Sequence, residues 1–246
     1  MTEVGTLLRH WRDHRRLSQL ELATRCGVSA RHISFVETGR SNPTRSMLVT
    51  LSEHLDVPLR ERNSILLAGG FAPLYPEHQL AEPPLAAISS AIRQILAVSM
   101  PNPALVVDRH WNLVDANAAV AMFTDGCAAH LLEPPVNVLR LSLHPDGLAP
   151  KIVNRNEWGS HVLARLEHQI IATDDAALRS LRSELRQYVG SAQREMELVV
   201  PLIIEGGLSF ISTTTVFGTP RDVTVSELAI EVFYPADAQT AEYLRT

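Results

Sequence analysis

Four side chains are predicted to lie on the exposed face of one short helix, where they could contact the edges of DNA bases. They are Ala30, Arg31, His32 and Phe35. An arginine guanidinium presents two parallel donors that match the O6 and N7 acceptors of guanine in the major groove. Arg31 is therefore the predicted base-reading residue.

A second set of polar side chains flanks this face and suits contacts with the phosphate backbone. Hydroxyl, amide and guanidinium donors to phosphate oxygens fix the orientation of a protein on a duplex without reading its sequence. The predicted phosphate contacts are Gln19, Ser29, Ser34, Arg40 and Asn42. The alternative is a helical bundle in which this helix is only a charged surface or binds a protein.

Other groups of reactive side chains indicate no catalytic or metal site. Glu157, His161 and His168 share one predicted helix face, but Arg165 lies on that face and would repel a cation. The pair Asp174-Asp175 suits a helix start better than an acid–base pair. No GxSxG, Walker-type or GxGxxG motif occurs. We therefore expect no enzyme activity, no cofactor and no bound metal.

The two cysteines also exclude several classes of site. Cys26 and Cys127 are far apart and form no CxxC pair, which argues against a zinc finger, a redox motif and a disulfide scaffold. No stretch of 18 residues lacks charge, and the first residues lack the layout of a signal peptide. These features predict a cytoplasmic protein that does not enter a membrane.

The base-reading residues require a pair of helices with a tight connection. Ser18 is predicted to cap one helix, with Glu21 three residues on, and Gly27 to end it in a left-handed conformation. Ser29 caps the next helix and Gly39 ends it. Further helices are predicted before and after this pair, which makes residues 1–71 all-α.

Small and apolar residues would fix the angle between the two helices. Ala23 suits the place where two helix backbones approach each other, and Ile33 and Val36 attach the second helix to its neighbours. The opposite face of that helix is then left exposed.

Residues 7–44, LLRHWRDHRRLSQLELATRCGVSARHISFVETGRSNPT, resemble the Cro/phage-repressor type of helix-turn-helix, the XRE family. The matching features are LSQ at 17–19, GVS at 27–29, IS at 33–34, and Glu37, Gly39, Arg40 and Pro43. The resemblance implies sequence-specific binding to double-stranded DNA. Residue type varies in that family at positions 30–32, so the resemblance does not predict the base sequence.

The charge distribution supports this interpretation. The whole chain has a net charge of −5, but residues 1–70 hold ten arginines against seven acidic residues, a balance of +3. Affinity for phosphate requires local positive charge, which lies in this first segment. Four prolines in residues 72–85 indicate a linker, so the predicted domains are 1–71 and 86–246.

The second domain mixes strand and helix patterns. Strands are predicted at 102–108, 113–114, 198–204, 208–216 and 228–234, and helices at 117–123, 157–172 and 174–189. Gly206-Gly207 between two of the strands is a hairpin signal. The prediction is an α+β fold with an antiparallel sheet.

Residues 102–123, NPALVVDRHWNLVDANAAVAMF, resemble the start of a PAS-like module and, more specifically, the ligand-binding domain of MmyB-type regulators. PALV at 103–106, the turn at 108–111, Asn117, the segment 137–141 and Trp158 follow the order of that family. Residues 198–234 depart from its usual pattern. The resemblance implies a sensory domain for a small apolar molecule, with fatty acids as a candidate class.

A pocket of this kind would be mostly apolar, with a few polar groups for the head of the ligand. The predicted polar groups are Asn117, His144 and Arg155. The predicted apolar lining is Leu105, Val107, Trp111, Met122, Phe123, Leu139, Val162, Leu166 and Phe210. For each residue alone, a place in a filled core is the preferred interpretation.

A single helix reads only a few base pairs, so a homodimer on DNA is also predicted. Two alternatives remain for the second domain. In one it serves only for dimerisation or for recruiting a protein partner, and in the other the chain is an enzyme tethered to DNA.

Overall fold

The computed structural model describes residues 2–190 and 199–245. These residues form twelve α-helices and five strands. The helices are α1 (Glu3–His14), α2 (Gln19–Cys26), α3 (Ala30–Thr38), α4 (Arg45–His54), α5 (Leu59–Ala68), α6 (Ala86–Ser99), α7 (Ala121–Thr124), α8 (Val138–Leu143), α9 (Arg155–Thr173), α10 (Ala176–Leu185), α11 (Val223–Ser226) and α12 (Ala238–Tyr243). The strands are β1 (Ala104–Val107), β2 (Leu113–Ala116), β3 (Leu202–Ile204), β4 (Leu208–Val216) and β5 (Ala229–Pro235).

Contacts divide the chain into two compact units. The first comprises Met1–His78 and Pro220–Ser226, and the second comprises Gln79–Thr219 and Glu227–Thr246. The boundary between the long segments falls inside the predicted linker. No described helix combines the length and apolar character required to span a bilayer.

The first unit is a helical bundle whose helix ends follow the local signals. Ser18 accepts the backbone N–H of Glu21, and the Glu21 carboxylate accepts the N–H of Ser18 in return. Gly27 and Gly39 have φ of +67° and +76°, the left-handed region that glycine tolerates. The predicted bounds of α2 and α3 are confirmed, because these caps act within one turn of the residues they terminate.

The short segment Pro220–Ser226 also belongs to the first unit. The backbone N–H of Val223 donates to the carbonyl of Pro76 at 2.8 Å, and the Val223 side chain is fully buried. Asp222 accepts the ring Nδ1 of His78 at 2.7 Å. Sequence analysis assigned this segment to the second domain, since nothing local marks a contact with residues about 145 positions upstream.

The second unit contains a five-stranded antiparallel sheet in the order β2-β1-β5-β4-β3, which confirms the predicted α+β class. The hairpin turn between β3 and β4 is also confirmed, with Gly206 and Gly207 at φ of +85° and +78°. β3 is shorter than predicted, and Leu198, the predicted start of this strand, lies outside the described residues.

Helices cover both faces of this sheet. On one face Ala104 and Val106 pack with Ile92 and Leu96 of α6. On the other face a larger core joins β1, β4 and β5 to α7, α8, α9 and α10. Because β1 is buried on both faces, it is apolar throughout instead of alternating.

Asn117, at the start of the predicted helix 117–123, does not act as a helix cap. Asn117 precedes a 3₁₀ turn, but its side chain makes no capping hydrogen bond there. Its Oδ1 accepts the N–H of Ala104 at 3.1 Å, and its Nδ2 donates to the carbonyls of Leu96 and Asn102. Asn117 therefore fastens β1 to the end of α6.

Candidate nucleic-acid interface and internal cavity

One aromatic ring and two arginines lie together on the exposed face of α3 and just after its end. The guanidinium carbon of Arg31 lies 5.1 Å from the centre of the Phe35 ring, and that of Arg40 lies 5.9 Å from the same ring. Both arginine side chains are exposed, while Phe35 is half-buried. Cation–π attraction to the ring restricts the positions of the two guanidinium groups. Phe35 therefore positions the two arginines on one surface.

The other predicted contact residues divide between this surface and structural roles. His32 is half-buried and its Nε2 lies 3.0 Å from Sδ of Met47 in α4, which directs the ring toward the bundle. The Ser29 hydroxyl accepts the N–H of His32 as the helix cap. Asn42 is exposed near Arg40 in the chain, and Ala30 and Ser34 are half-buried.

A buried ion pair holds α1 against α3. Arg12 donates from Nε to one oxygen of Glu37 at 2.6 Å and from Nη2 to the other oxygen at 3.0 Å. The Nη1 group of Arg12 donates to the carbonyl of Leu17 at 2.8 Å. The hydrogen bond with Glu37 raises the pKa of Arg12, against the opposite effect of burial. The geometry is bidentate, the strongest form of such a pair.

Gln19 belongs to this network. Its Nε2 donates to Glu37 at 2.8 Å, so its amide is engaged inside the bundle. Glu37 is the single acidic residue of α3, and it is 3% exposed and neutralised by Arg12. The exposed face of α3 is therefore cationic, as a surface facing phosphates must be.

The close contact of α1 with α3 depends on Gly5. A Cβ atom at this position would lie 2.6 Å from the carbonyl oxygen of Glu37 and 2.7 Å from that of Val36. These distances are shorter than a carbon–oxygen contact allows, so α1 can approach the end of α3 only with glycine here. Sequence analysis proposed a small residue only for the approach of α2 and α3, at Ala23, which is buried in the same core. It did not consider Gly5.

The second unit contains a partly open cavity of about 60 Å³ between its sheet and α7, α8 and α9. Its lining is mostly apolar and includes four of the predicted pocket residues, Leu105, Phe123, Leu139 and Val162. The other lining residues are Leu113, Val120, Thr124, Val136, Val138, Leu141, Ser142, Leu148, Trp158, Arg165, Leu202, Glu231 and Phe233.

The remaining apolar residues of the predicted pocket lie elsewhere in the same core. Val107, Trp111, Leu166 and Phe210 are buried members of it, and Met122 packs against it. They contact other side chains and do not line the cavity.

The predicted polar groups do not line the cavity either. Asn117 makes the backbone bonds described above, and Arg155 donates to the carbonyl of Tyr188 at 3.2 Å. The His144 ring packs against Tyr188 with 5.0 Å between ring centres. Each of the three side chains therefore has contact partners that do not line the cavity.

Arg165 and Glu231 supply the charged groups of the cavity wall. Arg165 donates through Nη2 to the Glu231 carboxylate and, at 2.8 Å, to the Thr214 hydroxyl. Its guanidinium carbon also lies 4.9 Å from the centre of the Trp111 ring. Glu231 is 4% exposed, so this ion pair is largely removed from water.

Sequence analysis missed these roles. It noted Arg165 only as a positive charge that would repel a cation from the helix face of Glu157, His161 and His168. One sequence signal was available, since Glu231 is the single charged residue in the apolar strand AIEVFYP. A buried acid of this kind requires a partner, but 66 residues separate it from Arg165.

Two family models match the chain. Residues 88–246 match the family described as the MmyB-like transcription regulator ligand binding domain, and residues 8–62 match the family described as helix-turn-helix. The first match covers more than half of the chain. No curated protein matches the chain.

Proposed function

The chain belongs to the family of the MmyB-like transcription regulator ligand binding domain, and from this membership we propose that it is a cytoplasmic, sequence-specific DNA-binding regulator controlled by a small apolar ligand. Its two matched families make it a DNA-binding transcription regulator with a ligand-binding domain. The proposal concerns the nature of the ligand and the residues that recognise it.

The observation that carries the proposal is the apolar cavity in the family-matched domain. Ligand pockets are typically lined by apolar side chains with a few polar groups that orient the ligand. This cavity has thirteen apolar lining residues and four polar ones, Thr124, Ser142, Arg165 and Glu231. Such a surface favours a molecule with a hydrocarbon body and one polar end.

Arg165 supports a carboxylate at that polar end. A guanidinium binds a carboxylate through two parallel hydrogen bonds, and such bonds are strong where water is excluded. Glu231 now occupies this position, so an incoming carboxylate would compete with it for Arg165. A fatty acid combines this head group with an apolar chain, and we propose this class of ligand.

The cavity volume sets a condition on binding. A closed cavity of about 150 Å³ accommodates one benzene molecule, and the present cavity is about 60 Å³. A longer hydrocarbon chain can therefore enter only if lining side chains move. We expect affinity to depend on chain length. The shortest acids should bind weakly, because they make few apolar contacts with the protein.

The test is thermal unfolding of the full-length protein with saturated fatty acids of 8 to 18 carbons. A ligand at 100 times its Kd stabilises the folded state by about 2.7 kcal/mol. In Val162→Phe the larger side chain fills the cavity, and this shift should be lost. Ile170→Phe, on the same helix and buried outside the cavity, is the matched control and should keep it.

A second pair of measurements tests the head group. The double variant Arg165→Met/Glu231→Met removes both charges together, so no buried charge is left unpaired. It should lose the response to fatty acids. The wild-type protein should respond less to the corresponding fatty alcohols. If no chain length stabilises the wild type, or if Val162→Phe responds equally, the ligand proposal is wrong and dimerisation or partner recruitment becomes the better account of this domain.

A further inference from the structure

The second unit brings two histidines and an aspartate together at its surface. Among the described residues, His130, His144 and Asp146 are the one group of three metal-ligating side chains whose ligand atoms all lie within 4.8 Å of one another. His130 lies in a 3₁₀ turn at Ala129–Leu131, and His144 follows the end of α8. Sequence analysis considered only the α9 face, where Arg165 opposes a cation.

Backbone hydrogen bonds fix the two loops that carry these residues. The N–H of Ala128 donates to the carbonyl of Asp146 at 2.9 Å, which ties the segment before His130 to the segment after His144. The N–H of Gly147 donates to the carbonyl of His144 at 2.9 Å and closes the turn. The three side chains therefore start from a preformed arrangement and do not depend on a mobile loop.

The histidine ring atoms are suitably placed. The N–H of Asp146 donates to Nδ1 of His144 at 3.0 Å, so the lone pair of this ring is at Nδ1. The same Nδ1 lies 3.8 Å from Oδ2 of Asp146. The ring centres of His130 and His144 are 5.7 Å apart. An ion at Nδ1 would have to displace the N–H of Asp146 from this lone pair.

The distances require only a small adjustment. Zn²⁺ binds imidazole nitrogen and carboxylate oxygen at about 2.0–2.2 Å, so tetrahedral ligand atoms lie roughly 3.4 Å apart. The separations here exceed this by about 1.4 Å at most, on the same basis. His130 and Asp146 are exposed, and rotation of their side chains can close the gap.

We propose that His130, His144 and Asp146 form a binding site for a divalent first-row transition metal ion, with Zn²⁺ as the occupant. Imidazole ligands favour Zn²⁺ and its neighbours over Mg²⁺ and Ca²⁺, which prefer oxygen alone. Three protein ligands leave one coordination position for water or another molecule. A bound ion would join the 3₁₀ turn to the end of α8, whose Leu139, Leu141 and Ser142 line the cavity.

The test is titration of the metal-free full-length protein with ZnCl₂ by calorimetry, and with CoCl₂ by visible absorption, which reports the ligand field. The first variant is His130→Ala. Because this side chain is exposed, we expect its removal to leave the fold intact. It should weaken Zn²⁺ binding at least tenfold, the lower end of the effect of changing a residue that only supports a metal ligand. His144→Ala should do the same and abolish the Co²⁺ bands.

Two matched controls separate this site from other histidines. His168→Ala removes an exposed histidine of the same unit and should leave Zn²⁺ binding unchanged. His14→Ala removes one of two stacked histidines on α1, whose ring centres are 6.1 Å apart, and should also leave it unchanged. The proposal is overturned if Zn²⁺ does not bind, if His130→Ala and His144→Ala both bind it as the wild type does, or if His14→Ala removes the binding.

Discussion

At the scale of single residues, Phe35 and Glu37 lie on opposite sides of one short helix, the side that we propose faces DNA and the side that packs in the bundle. Phe35 lies on the outer side and holds Arg31 and Arg40 through its ring. Glu37 lies on the inner side and binds Arg12 and Gln19. The nine residues of α3 thus present Arg31 outward, beside Arg40 just after the helix, while their one acid is neutralised inside.

Arg31 and Arg40 should differ in the kind of binding they provide. We expect Arg31→Ala to weaken binding to an operator selected from random duplexes by about 1–3 kcal/mol and to relax discrimination at one base pair. We expect Arg40→Ala to weaken all sequences alike and to reduce the salt slope by about 1. Fluorescence anisotropy on matched and mismatched duplexes over a salt series measures both effects. Unchanged selectivity in Arg31→Ala would contradict the placement of α3 in the major groove.

The Arg12–Glu37 pair should matter for stability far more than a surface pair. In Arg12→Met the Glu37 carboxylate stays buried without its ion-pair partner, so we expect a loss of about 3–5 kcal/mol in unfolding free energy. Arg9→Met is the matched control on the same helix. Arg9 pairs with Asp13 at 3.5 Å on the surface, where a loss of at most about 1 kcal/mol is typical. Equal denaturation midpoints for the two variants would show that the buried pair contributes no more to the free energy of unfolding than the surface pair does.

At the scale of elements, the contact of α1 with α3 opposes intrinsic helix propensity. Alanine is favoured over glycine within a helix by about 1 kcal/mol. In Gly5→Ala, however, the new Cβ meets two carbonyl oxygens at the end of α3. We expect a net loss of about 1–3 kcal/mol from overpacking, measured by chemical denaturation. The neighbouring Thr6→Ala, at an exposed site, should be neutral or slightly stabilising, and a Gly5→Ala protein more stable than wild type would refute the close approach.

At the scale of the whole molecule, we predict that two copies act together on DNA. One α3 contacts too few base pairs to select a site in a genome. Two copies would reach successive major-groove faces about 34 Å apart on a nearly palindromic site. Sedimentation of the saturated complex should give two chains per duplex, and the footprint should cover two half-sites. One chain on a single half-site would exclude this arrangement.

The sequence by itself determined α2 and α3 of the first unit and the hairpin turn at Gly206-Gly207. The reason is local, because Ser18, Gly27 and Ser29 act on backbone groups within one turn of their own positions. The sequence also indicated both families, because their motifs are residues in a fixed order along the chain.

Only the tertiary structure decided which distant residues meet. Arg12 and Glu37 are 25 residues apart, and Arg165 and Glu231 are 66 apart. Neither pairing has a local signal, because a buried charge requires a partner without specifying where in the chain it lies. The lining of the cavity was likewise decided by the tertiary structure. Leu139 lines it and Leu166 does not, although both are buried leucines of one core, because an unfilled space depends on how the volumes of all neighbouring side chains fit together.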